Sequence, residues 1–307
     1  MAKVSVIVPI YGVEKYIEQC AISLFEQSLD DIEYLFVNDS TKDNSIVVLN
    51  EVIKRYPNRE RQTHVLNHEH NKGLPIARQT GIREASGEYI YHCDSDDWLE
   101  LNMLQTLYEK ALAENADIVY CDFYFANNLE DKVWHKESLS NNYCVDLLKD
   151  KVSPNVWNKL CRRRLYTENL IFFPSGNMGE DLALMSQISY YSKRTVHVSK
   201  PLYYYRQNQY SMTGIKDKES IIRKFENLTL NYRTLLLFAD EIKEPSIRDR
   251  ITARILRMKS ILYPYLEDKS IYNLWRNTYK EYHVKWIFSP YVSIKDKMRY
   301  VHHYYFG

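Results

Sequence analysis

Residues 88–97 read Glu-Tyr-Ile-Tyr-His-Cys-Asp-Ser-Asp-Asp, a short apolar strand that runs straight into three carboxylates within four positions. A second junction of the same kind lies upstream, where the strand-like run Ile32–Val37 enters Asn38-Asp39-Ser40-Thr41-Lys42-Asp43. Working outward from these two points, strand and helix signals alternate. Val4–Val8 is a β-branched run. Val13, Ile17, Ala21 and Leu24 have the spacing of a helix with one buried face, as do Ile46, Leu49, Ile53 and Tyr56, where Pro57 stops the helix. Thr63–Leu66 reads as a third strand. Leu74–Ala85 reads as a helix with Pro75 in its first turn and Ser86-Gly87 at its end, Leu101–Asn115 as another helix and Asp117–Phe123 as a fifth strand. Repeated β-α-β units predict an α/β fold with a mostly parallel sheet flanked by helices. Ligands of such sheets bind beyond the carboxyl ends of the strands, where both acidic clusters should lie.

Three adjacent carboxylates repel one another unless something compensates them. A divalent cation is the simplest compensation, because Mg²⁺ and Mn²⁺ prefer carboxylate and phosphate oxygens. In an extended segment Asp94 and Asp96 project to the same side, so one can address a metal while the other meets a sugar hydroxyl or a bound water. Acidic residues also suit turns and helix N-caps, and Asp97 and Asp43 are both placed to cap the helices that follow them.

From about Val133 the alternation weakens. Arg194–Val198 and Leu202–Arg206 read as two further short strands, and beyond Asp217 the pattern turns helical. The natural division is an α/β domain over residues 1–215 and a helical region over 216–307. The chain has 307 residues, 45% of them hydrophobic and 26% charged, so it can bury a sizeable core. A net charge of +1 argues against nucleic acid as a partner. Five scattered cysteines without a CxxC pair suggest neither a disulfide framework nor a zinc site, and a reducing compartment fits them. The apolar N-terminal run is short and carries Pro9, which reads as a buried strand rather than a signal peptide, and no stretch is long enough to span a bilayer. A cytoplasmic protein is therefore expected.

The order Val6-Ile7-Val8-Pro9-Ile10-Tyr11, Val37-Asn38-Asp39-Ser40, Asn71-Lys72-Gly73 with Ala77-Arg78, and Asp94-Ser95-Asp96-Asp97 resembles the inverting family 2 glycosyltransferases of the GT-A fold. Further on, Val156-Trp157-Asn158-Lys159-Leu160, Gly179-Glu180-Asp181 and Tyr204-Tyr205-Arg206 resemble signatures of the bacterial surface-polysaccharide branch. The resemblance covers roughly residues 3–213. It implies a nucleotide-sugar donor, with UDP the favoured nucleotide, and a glycan or lipid-linked saccharide as acceptor. Pro9 and Tyr11 would line the nucleoside pocket, and Asp39 would accept a hydrogen bond from the base. Arg78 would sit near the base or diphosphate, and Asp94 and Ser95 would belong to the donor site. Asp96 would ligate Mg²⁺ or Mn²⁺, with Asp94 joining it directly or through water. Asp181 would be the general base for the acceptor hydroxyl, with Glu180 in reserve. Gly12 and Thr80 stand where the family more often has Asn, and the usual Asp-Asp-Gly-Ser of the second motif appears as Asn38-Asp39-Ser40-Thr41, without its Gly; Asp39, Asp94, Asp96 and Asp181 are kept.

Several features keep alternatives open. His68 and His70 alternate around Glu69 without a third metal ligand nearby, which reads as a solvated loop. Trp98 suits an acceptor-stacking platform or a core anchor. Gln207–Thr213 suits a loop closing over a diphosphate. The tail interleaves Trp286, Phe288, Tyr300 and Phe306 with Lys285, Lys295, Lys297 and Arg299, which suits the inner face of the plasma membrane, packing on the helical region, or a homodimer partner. A receiver domain would be far shorter, and a sugar nucleotidyltransferase would need a Gly-rich basic loop after the first strand. A non-catalytic nucleotide- or sugar-binding protein is the remaining competitor.

Overall fold

The computed structural model describes residues 2–207 and 217–305. Its first half alternates β1 (Val4–Ile10), α1 (Ile17–Phe25), β2 (Ile32–Asn38), α2 (Ser45–Arg55), the one-turn α3 (Pro57–Glu60), β3 (Thr63–Asn67), α4 (Leu74–Glu84) and β4 (Tyr89–His92). Then come β5 (Trp98–Leu99), α5 (Met103–Ala113), β6 (Ile118–Ala126), β7 (Lys132–His135), α6 (Tyr143–Leu148), β8 (Lys159–Arg162), α7 (Arg164–Thr167), α8 (Glu180–Tyr191) and β9 (Thr195–Arg206). Among the described residues five α-helices follow, α9 (Lys218–Ile242), α10 (Pro245–Lys259), α11 (Lys269–Asn277), α12 (His283–Phe288) and α13 (Ile294–Tyr305), with short 3-10 turns at Ser260–Tyr265 and Lys280–Tyr282.

One sheet runs in the order β3-β2-β1-β4-β8-β6-β9-β5, with β7 paired to β6. β3, β2, β1 and β4 are mutually parallel, as the βαβ pattern predicts. Beyond β4 the sheet is mixed, because β8 inserts antiparallel between β4 and β6. The two short strands expected near residue 200 are one strand, β9, whose register against β6 shifts around Asp122. A local pattern cannot foresee this, since an interruption in alternation looks the same for a bulge and a turn.

The period of two along each strand sorts side chains between two cores. Val4, Val6, Val8 and Ile10 of β1, Tyr34 and Phe36 of β2, and Tyr89 and Tyr91 of β4 face α1, α2 and α5. Ile7, Leu35 and Ile90 face the opposite layer, which holds Ile82 of α4 and Leu184, Met185 and Ile188 of α8. At Gly81 the α4 backbone approaches so closely that a Cβ would lie 2.4 Å from Ile7 Cγ2. Pro9 sits inside β1 without breaking it. Ile7 O accepts from Cys93 N and Ile10 O from Asp39 N, so residues 7 and 9 face β4 and residue 10 faces β2. Pairing with β4 ends at Ile7↔His92, and Pro9, with no N–H to donate, stands where the ladder would otherwise continue.

The helices from α9 to α13 close around Trp275, Trp286, Phe225 and Leu262, and this third core also takes in Cys144, Leu148, Leu182 and Ala183 from α6 and α8. Among the described residues no helix is long and apolar enough to cross a membrane. All five cysteines are buried and unpaired.

Candidate active site

The chain runs β1-β2-β3 outward and then returns to place β4 on the other side of β1, which makes the β1/β4 boundary a topological switch point. The carboxyl ends of β1, β2 and β4 deliver Tyr11, Asp39 and the turn 94–97 to one edge. Tyr11 is 54% exposed there, and Pro9 is buried below it. The loops after β1 and β2 are tied together: Gly12 N donates to Thr41 Oγ1 and Glu14 N to Asp43 Oδ2. Asp43 also accepts from Ser45 N and Ser45 Oγ, one residue ahead of Asn44, which holds the N-cap position of α2 in place of the Asp43 expected there.

Asp39 is buried, and its oxygens take the Lys72 N–H, the Gly73 N–H and His68 Nδ1, at 2.8, 2.8 and 2.7 Å. Nδ1 donates to the carboxylate, and Nε2 shares a hydrogen bond with the Thr80 hydroxyl at 2.9 Å. His68 is thus a buried strut, not part of a solvated loop, whereas His70 is exposed. Its role was not legible from its neighbours because Thr80 comes from the next helix. Asp39 therefore organises the Asn71-Lys72-Gly73 turn, and Oδ2 takes one of these bonds, which leaves it acceptor capacity.

Arg78 of α4 is the centre of the site. Its guanidinium lies 2.8 Å from Asp94 Oδ1, 2.5 Å from Asp181 Oδ1 and 3.1 Å from Glu180 Oε1. The charges of these three carboxylates more than offset the burial of the guanidinium, which stays protonated. Glu180 and Asp181 open α8, and Gly179 before them has φ +76, a left-handed conformation that turns the chain into the helix. Burial raises both carboxyl pKa values. Glu180 is pushed up to about 8 by burial and by Asp181 beside it, while Arg78 holds it down. For Asp181 burial is again the largest influence, opposed by Arg78 and by the Val156 N–H and Lys159. Beneath Arg78 lies His92, buried with neither ring nitrogen partnered and kept neutral by burial and the guanidinium, its pKa about 3.

The turn 94–97 is clasped by β9. Tyr203 donates its hydroxyl to Asp97 Oδ2 at 2.6 Å, Arg206 N donates to Asp97 Oδ1 at 2.7 Å, and Arg206 Nε donates to the Asp96 carbonyl at 2.7 Å. Asp97 is therefore an internal anchor and not the cap of the next helix, which starts six residues later at Met103. Trp98 is 3% exposed, stacks on Tyr204 at 5.0 Å and has the Arg206 guanidinium 4.5 Å from its ring centre; it packs in a small buried cluster with Ala126 and Tyr204, as a core anchor does. Ser95 is buried within the turn. The loop expected to close over a diphosphate lies, from residue 208, outside the described residues.

Asp96 differs from its neighbours. Among the described residues no basic side chain pairs with its carboxylate, and burial together with Asp94 raises its pKa to about 6. Among the described residues no three His, Cys, Asp or Glu side chains converge to hold a metal unaided. The donor set nevertheless fits a cation of the Mg²⁺ type, which takes one or two carboxylates and completes its shell with substrate phosphates and water. An unpaired, half-buried carboxylate is the group such an ion would relieve.

A sheet with this switch point, acids at its carboxyl edge and a helical extension is the GT-A architecture. The solved structure of S. aureus TarS residues 1–349 in complex with UDP-GlcNAc shares it, with a TM-score of 0.63 over 98% of this chain and 81% of that one at 20% identity. Residues 5–184 match the profile of Glycosyl transferase family 2, and the chain belongs to that family. It is 34% identical over 245 residues to the uncharacterized glycosyltransferase EpsJ of Bacillus subtilis, covering 76% of this chain and 69% of that one. It is 32% identical over 227 residues to the glycosyltransferase GlyA of Streptococcus pneumoniae, covering 69% of this chain but 32% of GlyA.

Proposed function

We propose that the chain transfers a sugar from a nucleoside diphosphate donor, UDP-sugar favoured, to a hydroxyl of a glycan or lipid-linked saccharide with inversion at the anomeric carbon, in the assembly of a bacterial surface polysaccharide. The observation that carries this reading is the Arg78 bridge, which brings Asp94 from the donor edge and Asp181 from the start of α8 onto one guanidinium. In the proposed reaction the acceptor oxygen attacks the anomeric carbon and gives its proton to Asp181. The bond from that carbon to the diphosphate breaks, and the nucleoside diphosphate leaves. Arg78 opposes the rise that burial imposes on the Asp181 carboxyl and so favours its basic form. Glu180, raised to about 8, is the poorer base at neutral pH and is also less exposed than Asp181. Asp96, with Asp94 beside it, would hold Mg²⁺ or Mn²⁺, which supplies charge stabilisation for the leaving diphosphate. Asp39, Tyr11 and Pro9 would form the nucleoside side of the pocket, with Ser95 in the turn between the two.

The donor site would occupy residues 1–215, and the helical region 216–307 would carry contacts with the acceptor's surroundings. Trp286 and Tyr300 of the tail are buried in the helical core, whereas Val284, Phe288, Ile294, Met298 and Tyr305 are exposed near Lys285, Lys295 and Arg299. That surface supports peripheral membrane contact, which sedimentation with anionic vesicles tests. The central experiment is UDP release from a panel of UDP-sugars, with Mn²⁺ or chelator, by the wild type, Asp96→Ala and Asp181→Asn. Metal-dependent release lost in Asp96→Ala supports the reading. Absence of both release and metal-dependent UDP binding would overturn it in favour of another nucleotide or a non-catalytic binding role.

A further inference from the structure

Lys159, the first residue of β8, is 1% exposed. Its ammonium donates to the Asn155 carbonyl at 2.5 Å and to Asn158 Oδ1 at 2.7 Å, and faces the Tyr143 ring at 5.8 Å. Asn158 is fixed in turn by the Cys121 carbonyl and by Glu137, whose other oxygen takes the Ser153 N–H. The peptide that joins Asn155 to Val156 therefore has its carbonyl oxygen held by Lys159. The N–H of that same peptide points the other way, onto Asp181 Oδ2 at 3.3 Å.

A peptide group is planar, so fixing its oxygen fixes the direction of its N–H. A cation on the oxygen also polarises the group and makes the N–H a stronger donor. The two oxygens of Asp181 are thus held from opposite sides, Oδ1 by Arg78 and Oδ2 by the 155–156 peptide.

We infer that Lys159 is a positioning residue for Asp181, acting through the Asn155–Val156 peptide rather than by touching substrate. The inference rests on the reading of Asp181 as the base. Without Lys159 the peptide can rotate, Oδ2 loses its donor, and the carboxylate samples orientations that do not meet the acceptor hydroxyl. Nucleotide affinity is untouched, because Lys159 and its partners contact none of Pro9, Tyr11, Asp39 or Asp96. Other charges reach both ends of this relay. Arg78, Asp94 and Glu180 face Asp181, Glu137 and Asp181 itself attract Lys159 through space, and the neutral thiols of Cys121 and Cys161 lie beside the ammonium.

The test uses the full chain and UDP release from whichever UDP-sugar of the panel is hydrolysed fastest. Lys159→Met keeps length and apolar fit, and Lys159→Gln keeps an N–H donor without the charge; thermal melting establishes that each is folded. Lys159→Met should lower kcat roughly 10- to 100-fold, the scale of a misplaced catalytic group, while KM and UDP affinity stay within about twofold. Lys159→Gln should recover part of that loss. Combined with Asp181→Asn, Lys159→Met should cost nothing further, because both act on one group. A folded Lys159→Met or Lys159→Gln enzyme with wild-type kcat overturns the inference, and so does a loss that appears in KM or adds fully to Asp181→Asn. If Asp181→Asn itself retains wild-type kcat, the base assignment falls. If Asp181→Asn is inactive and the Lys159 variants are unimpaired, the relay alone falls.

Discussion

Arg78 and Asp181 meet at 2.5 Å although 103 residues separate them in the chain. One comes from α4 behind the parallel strands and the other from the first turn of α8, so their contact joins the two halves of the candidate site. Both side chains are largely withdrawn from water, at 4% and 17% exposure, and the pair cannot fall back on solvent when one member is removed.

Arg78→Met leaves Asp94, Asp181 and Glu180 crowded without their shared cation. Breaking a buried ion pair typically costs about 3–5 kcal/mol, so the melting temperature should fall by many degrees. Glycosyl transfer should be lost with it, and Arg78→Lys, which cannot bridge three carboxylates with a fork, should rescue little. A stable, active Arg78→Met enzyme would show that the bridge matters to neither fold nor chemistry.

Gly81→Ala places a methyl group 2.4 Å from Ile7 Cγ2, between α4 and β1. Overpacking of this kind costs about 1–3 kcal/mol. Pairing Gly81→Ala with Ile7→Ala should restore part of that loss by vacating the clash. The denaturant midpoints of the single and double variants measure the coupling, and strict additivity would mean that the two positions do not touch.

Asp39→Ala removes the acceptor of two backbone N–H groups and of His68. Each orphaned donor costs about 1–3 kcal/mol where water cannot reach it. The variant should melt lower than the wild type and bind UDP more weakly, since the Lys72-Gly73 turn loses its tether. His68→Phe should do the same more mildly. Calorimetric UDP titration separates the two effects, and unchanged affinity in both variants would remove Asp39 from the nucleoside pocket.

Stability between pH 7 and 10 should report on Lys259. Its ammonium is fully buried, donates to the Thr278 carbonyl and lies among Trp275, Trp286 and Tyr300, with His283 3.3 Å away. Burial pushes its pKa down to about 7, against the pull of Glu281. Between that value and the higher pKa of an unfolded chain, the unfolded state binds the extra proton, so this contribution to stability rises with pH. Lys259→Met should melt higher than the wild type near pH 7, with the difference shrinking toward pH 10. An equal difference across the window would place Lys259 in an ordinary ion-paired state.

Sequence reading reached furthest where the determinants are local. The parallel strands, their helices and the acids at their ends follow from spacing alone, because each residue answers to neighbours three or four positions away. Reading failed where the partner is distant. Asp97 has the composition of a cap, yet Tyr203 and Arg206 draw it inward from β9. His68 looks solvated until Thr80 and Asp39 close on its two nitrogens. The insertion of β8 between β4 and β6 leaves no trace in the pattern of any one of the three strands. The tail's aromatics divide between core and surface by helix packing that no composition encodes.

The placement of β8 also sets an order of events during synthesis. When a ribosome has released the chain through Ala126, β4 and β6 both exist, but the strand that joins them lies more than thirty residues further on. Their facing edges stay open until Lys159–Arg162 arrives, and open edges invite pairing with other nascent chains. Arg206, which latches the turn 94–97, follows later still. A chain cut short anywhere before it would hold a donor edge without its clasp, so no fragment of this protein ending upstream of β9 should release nucleotide from a sugar donor.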